Sequence, residues 1–283
     1  MGKWKKWLSA GLFTAMLGTA IIAGPTADVS ANAGNKPYNI ENVSPDAQLA
    51  PSVGDSSSKT SSKAWHKIDG VCYNGSGKKV EGAITRGMDV SEWQGKINWK
   101  EAKKDLDFAF VRISYGTRHL DDYYDYNMTE AEAADVPVGT YVYSLAKTNK
   151  EALAEAQLAI RQMQGHKVSY PVAFDLEDEA TLGTLTRKEI SQIALTFCDE
   201  IRKAGYTPIL YMNLNWYNNF VDWNVLEGSG LDVWIASYGD TIFAPSTSKY
   251  KYTIWQCTAG DEVPGMISTK KLISGVPKEN NVD

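Results

Sequence analysis

The hydrophobic pattern divides the chain near residue 86. Beyond that point, short apolar runs alternate with stretches of helical periodicity. The runs at 87–90, 107–114, 137–145, 171–177, 208–213, 232–238 and 252–257 are apolar almost throughout, the pattern of strands buried on both faces. Between them, helices are predicted near 99–104, 126–134, 150–164, 187–204 and 216–223. In the fourth of these, Ile190, Ile193, Ala194, Phe197 and Ile201 follow the three-and-four spacing of one buried face. Thr186 offers an N-cap with Glu189 three residues on, and Gly205 stands where the helix should close. Alternating strands and helices imply parallel βα units. About five such units, followed by strands with little helix between them, predict an α/β fold of the closed, modified TIM-like barrel kind. In such barrels chemistry gathers at the C-terminal strand ends. Asp89, Asp175, Glu177, Asn213 and Tyr238 all fall at such ends.

Upstream of residue 86 the pattern changes three times. Residues 1–33 read as a secretory signal peptide: Lys3, Lys5 and Lys6 open it, an apolar segment fills 8–23, and small residues follow at Ala31 and Ala33. The apolar run is short for a membrane span of ~20 residues, so no membrane attachment is expected after cleavage. Residues 34–63, with Ser56-Ser57-Ser58-Lys59-Thr60-Ser61-Ser62 at their centre, read as a flexible Ser/Asn-rich linker. Residues 64–85 place Trp65 and Tyr73 around glycines and predict a short hairpin. It resembles an imperfect single copy of the Trp/Tyr/Gly repeats of bacterial wall-binding modules. One repeat cannot bury its own faces, so the hairpin is expected to pack on the domain at 86–283.

Charge and cysteine content narrow the partners. Net charge falls from −5 to about −7 once Lys3, Lys5, Lys6 and Asp28 leave with the signal, which disfavours nucleic acid and anionic lipid as ligands. Cys72, Cys198 and Cys257 are too few for a disulfide scaffold and odd in number. Cys198 lies within the fourth helical pattern and is expected to be a buried apolar residue. A monomer is the default.

The candidate chemistry sits in Tyr170-Pro171-Val172-Ala173-Phe174-Asp175-Leu176-Glu177-Asp178. Side chains alternate along a strand, so Asp175 and Glu177 should share a face. Paired carboxylates at a strand end are the minimum equipment for acid-catalysed glycoside cleavage; the plainer reading is a strand running into an acidic loop. His66, His119 and His166 show no metal-ligand spacing, so neither a metal nor another cofactor is expected. No cysteine lies in a turn suited to a nucleophile. A chitinase-type Asp-x-x-Asp-x-Asp-x-Glu motif would need aspartates where Tyr170 and Ala173 stand.

Five segments together carry a family resemblance. Arg86-Gly87-Met88-Asp89-Val90-Ser91-Glu92-Trp93-Gln94-Gly95 resembles the opening strand of family-25 glycoside hydrolases, the N-acetylmuramidase lysozymes, and Phe174-Asp175-Leu176-Glu177 resembles their acidic motif. Trp234-Ile235-Ala236-Ser237-Tyr238, Ile254-Trp255-Gln256-Cys257-Thr258 and the closing pair Val263-Pro264-Gly265 and Asn281-Val282-Asp283 are similar to the late segments, in order. The resemblance implies a barrel of five βα units and a final set of strands. It implies cleavage of the β-1,4 bond between N-acetylmuramic acid and N-acetylglucosamine in bacterial peptidoglycan, outside the cell and at the wall. By position it implies Glu177 as general acid, Asp175 as its ionised partner, and Asp89 and Asp283 as further site carboxylates, with retention through the substrate's own acetamido group. Strand spacing alone leaves retention and inversion open. The family usually continues past the position of Asp283. A barrel that binds wall glycan without cutting it is the alternative. Tyr143, Tyr238, Tyr211, Trp234, Asn213 and Trp255 are the expected substrate-binding residues; Tyr143 and Tyr238 are the foremost candidates for the groove.

Overall fold

Short β-branched and aromatic runs fold here into a ring of strands wrapped by helices. The computed structural model describes residues 66–74, 77–237, 251–257 and the backbone of 266–268. Strands β1 (His66–Ile68) and β2 (Val71–Tyr73) form an antiparallel hairpin. It turns through Asp69 and Gly70, which both take positive φ, a geometry that glycine adopts freely and aspartate tolerates.

Then come β3 (Thr85–Val90), α1 (Trp99–Ala102), β4 (Phe108–Tyr115), the short β5 (His119–Leu120), α2 (Tyr124–Ala133) and β6 (Val138–Tyr143). These are followed by α3 (Asn149–Met163), β7 (Val172–Asp175), α4 (Glu179–Leu182), α5 (Arg187–Lys203) and β8 (Pro208–Asn213). The last elements are α6 (Leu214–Asn219), α7 (Trp223–Leu226), β9 (Asp232–Ala236), β10 (Ile254–Gln256) and β11 (Met266–Ser268). Strands β3, β4, β6, β7, β8, β9 and β10 are parallel neighbours in that order. The antiparallel strand β11 lies between β10 and β3, so the sheet curls round and meets itself. All seven predicted runs contain strands.

Strand alternation separates two cores. Phe108, Phe110, Ala173, Ile209, Tyr211, Trp234 and Ile254 fill the interior with Tyr170. Their sequence neighbours Ala109, Val111, Val172, Phe174, Leu210 and Met212 face the helices. Two inward positions are glycine because aromatic rings take the space. A Cβ on Gly87 would sit 2.5 Å from the Phe108 ring, and one on Gly139 would sit 2.7 Å from Phe110.

The predicted cap of the longest helix is present. Thr186 accepts from the Glu189 amide while the Glu189 side chain returns to the Thr186 backbone. The buried face does more. Ile190, Ile193, Phe197 and Ile201 are buried, with Phe197 stacked on Phe174 of β7 at 4.2 Å. Each such side chain contributes ~1.5–3 kcal/mol, against ~1 kcal/mol for a cap. Cys198 is fully buried on the same helix.

The helix expected across 216–223 is divided. Asn213 and Asp222 each cap a new start, α6 and α7, while Phe220 and Val221 between them leave the helix and bury completely. No helix lies among the described residues between β9 and β10. Their outer faces, Val233, Ile235 and Trp255, pack with Cys72 and Val80 from the hairpin segment and with Leu214, Tyr217 and Trp223 of α6 and α7.

Candidate active site at the mouth of the barrel

Strand β7 ends at Asp175, so Glu177 lies just beyond it rather than within it. The ladder nevertheless continues one residue, because the Leu176 amide donates to the Tyr211 carbonyl at 3.0 Å. Asp178 then stops it by capping α4, its side chain accepting from the Thr181 amide at 2.7 Å. The alternation thus persists, and Asp175 and Glu177 act on each other electrostatically. Asp175 is deeply buried and Glu177 half-buried. Burial raises both carboxyls above the usual range. The Glu177 and Asp89 charges raise Asp175 further, and Arg112 opposes them. The Asp89 and Asp178 charges add to burial at Glu177, and a hydrogen bond with Tyr211 opposes them, leaving it near about 7. Such a pair keeps a proton near neutrality.

A polar chain spans the mouth from β8 to β3. The Tyr211 hydroxyl donates to Gln256 Oε1 at 2.9 Å, and Gln256 Nε2 donates to Asp89 Oδ2 at 2.8 Å. Asp89 does not cap the following turn: the Ser91 amide goes to Gln94 Oε1 instead. Burial raises Asp89, against the Gln256 hydrogen bond. On the other side Tyr115 and Tyr143 stack at 4.8 Å, and both hydroxyls donate to Asp178 Oδ2, at 3.3 and 3.4 Å. Asp175 Oδ1 is buried without a hydrogen-bond partner among the described residues.

Three carboxyls around an aromatic-walled mouth fit glycoside chemistry, and comparison with known proteins bears on which kind. The family model described as "Glycosyl hydrolases family 25" matches residues 88–266. The chain belongs to glycosyl hydrolase family 25. Among curated relatives, Lysozyme M1 of Streptomyces globisporus is 25% identical over 191 residues, 64% of each chain. The family-25 chain here thus spans less than two thirds of that relative's length. A family 25 glycosyl hydrolase from Bacillus anthracis superposes with a TM-score of 0.56 at 21% identity, covering 75% of this chain and 95% of that one. The modular autolysin LytC from Streptococcus pneumoniae, solved in complex with a synthetic peptidoglycan ligand, gives 0.57 at 22% identity, covering 72% and 51%. At these identities the structures establish the shared fold.

Within this family-25 mouth the expected residues divide. Asp89, Asp175, Glu177, Tyr143 and Tyr211 come together. Asn213 ends β8 at the same mouth, but its side chain is engaged in capping α6. Trp234 is buried in the interior against Phe110 and Tyr211 and offers no open face. Trp255 points the opposite way from Gln256, into the outer cluster with Cys72 and Val80, because neighbouring strand residues alternate. Tyr238 and Asp283 lie outside the described residues. Gln256, Asp178, Tyr115 and Arg112 were not anticipated. Gln256 had a signal: a polar residue two places from Ile254 in an otherwise apolar strand must find a polar partner inside.

Proposed function

We propose that this chain is a secreted N-acetylmuramidase that cuts the β-1,4 bond between N-acetylmuramic acid and N-acetylglucosamine in bacterial peptidoglycan. The observation carrying this reading is the close pair of Asp175 and Glu177, both raised above the usual carboxylate range chiefly by burial, at the mouth of a family-25 barrel. The relatives named for lysozyme activity and for a peptidoglycan ligand supply the substrate class. The barrel is of the kind with five βα units, and export follows from the leader-like residues 1–33.

Glu177 is the general acid. It is the more exposed of the pair, and its carboxyl still carries a proton near neutral pH, as donation to a leaving oxygen requires. Asp175 lies deeper and is the partner carboxylate in this reading: burial and the Glu177 and Asp89 charges disfavour its ionised form, and the Arg112 charge opposes them. In this reading its carboxylate accepts the N–H of the substrate's 2-acetamido group. In the first step Glu177 protonates the glycosidic oxygen and the C1–O bond breaks. The acetamido carbonyl oxygen closes on C1, and Asp175 stabilises the positive charge of the ring so formed. In the second step Glu177, now ionised, takes a proton from water, which attacks C1 from the face the leaving group vacated as the bond between C1 and the acetamido oxygen breaks and the acetamido group is restored. Two inversions give retention. Asp89 and the Gln256–Tyr211 chain position this pair, and Asp283 adds a further carboxylate.

The test is Glu177→Gln, which preserves shape but removes the transferable proton. Release of soluble fragments from purified peptidoglycan is expected to fall by ~10²-fold or more, while binding to the same material persists. Undiminished release would remove Glu177 from the role of acid.

A further inference from the structure

Four large apolar side chains are exposed among the described residues, and Trp93, at 79%, is the most exposed of them. A single apolar residue on a loose surface tip needs no explanation. Trp93 is not on such a tip. The Ser91 amide is held by Gln94 Oε1 at 2.8 Å, and the Trp93 amide is directed at Ser91 Oγ at 3.4 Å. Glu92 is fixed three ways: its amide donates to Asp121 Oδ2 at 2.7 Å, and its carboxylate meets Arg112 at 2.8 Å and His119 at 2.7 Å. Further along, the buried Asn127 donates to the Gly95 carbonyl and accepts from the Ile97 amide and the Trp99 indole. Ser91, Glu92 and Gln94 around Trp93 are hydrogen-bonded, and the indole stands out in solvent.

Its place matters as much as its rigidity. The loop follows β3 directly, four residues beyond Asp89, on the face where β4, β6 and β7 also end. Arg112 connects it to the reaction centre, because this guanidinium pairs with Glu92 and also acts on Asp175. In the same segment Glu92 holds His119, whose side chain is 48% exposed, and exposed Leu120 follows His119 in sequence. An exposed flat aromatic face is complementary to the C–H face of a pyranose, which stacks on it.

We infer that Trp93 is a stacking platform for a sugar ring of the glycan strand outside the cleavage point, a rim subsite held in position by the Glu92–Arg112–Asp121 clamp. This rests on the reading of the mouth as a glycan-cleaving site. The platform acts on long strands, since a sugar must extend from the bond being cut to reach the rim.

The experiment measures binding by calorimetry to peptide-free peptidoglycan glycan strands of about four and about ten sugars. Glu177→Gln is compared with the same variant carrying Trp93→Ala, and with one carrying Trp93→Phe. For long strands the alanine variant is expected to bind about tenfold more weakly, and phenylalanine should recover most of the loss. For short strands the gap should close to within about twofold. In the active chain, Trp93→Ala should raise KM on long strands with little change in kcat. Equal affinities at both lengths, with the parent cutting the strands, would overturn the platform and leave the hydrolase standing. Strands that bind with the expected gap but are never cut would overturn the hydrolase and leave the platform. No binding by Glu177→Gln at any length would overturn both.

Discussion

Asp178 joins three kinds of contact at the mouth of the barrel. Its carboxylate caps α4, receives two tyrosine hydroxyls, and lies close enough to Glu177 to help hold that group protonated. If Glu177 must carry a proton to act, activity should fall as pH rises through its pKa, near about 7. A negative neighbour disfavours ionisation, so removing the Asp178 charge lowers the Glu177 pKa. Asp178→Asn, which retains a capping oxygen, should therefore shift the alkaline limb of the pH–rate profile to lower pH. An unmoved limb would show that Asp178 is only a cap. At this scale the sequence was legible where chemistry depends on neighbours along the chain. Asp175 and Glu177 stand out by spacing. Gln256 and Arg112 acquire their roles only when strands distant in sequence meet, since Asp89 and Gln256 are 167 positions apart. The tryptophans were the least legible: residue type gives no strand parity, and Trp234 and Trp255 are core while Trp93 is exposed.

Elements marked by an apolar run or a helical period were readable, down to the four-residue α1 and the three-residue β10. Strand β5 and helix α4 carry no such mark, and the helix expected at 216–223 divides where Phe220 and Val221 are drawn into the core. Helix α3 carries a feature its surface-like pattern conceals. Glu155 is buried, accepting from Ser144 Oγ at 2.8 Å and from the Leu145 amide at 2.9 Å. The Ser144 amide in turn donates to the Asp175 carbonyl at 3.0 Å, so α3 anchors the loop beside the end of β7. Burial raises the Glu155 pKa to about 7, against these two hydrogen bonds. A folded-state pKa above the unfolded value means the folded protein binds the proton more tightly. The stability this provides is fully present below the unfolded pKa of ~4.3 and is lost as pH rises through ~7, by ~4 kcal/mol at most. Glu155→Gln stays neutral throughout. Its unfolding temperature should decline less between pH 4.5 and 7 than that of the parent, and parallel curves would contradict this. Asp89, Asp175 and Glu177 contribute slopes of the same sign, so the difference is partial.

At the scale of the whole molecule, a curled sheet lets apolar packing and catalytic polarity occupy the same interior. Phe108, Phe110 and Trp234 fill its floor while Asp89, Asp175, Tyr211 and Gln256 meet above them. The helices cover most of the outer wall, and the hairpin segment, with α6 and α7, covers β9 and β10. That covering was foreseeable in kind, because a lone Trp/Tyr/Gly repeat must pack against something. Its address on the wall was not, since nothing in residues 66–80 specifies which strands are bare. The meeting of β3 with both β4 and β11 likewise depends on the accumulated curl of the whole sheet. All of this serves one claim, that the mouth cuts peptidoglycan on the muramic acid side. The most direct measurement digests purified peptidoglycan, reduces the fragments with borohydride and identifies the sugar converted to its alcohol. N-acetylmuramitol is the predicted product. N-acetylglucosaminitol, or fragments with no new reducing end, would contradict the account.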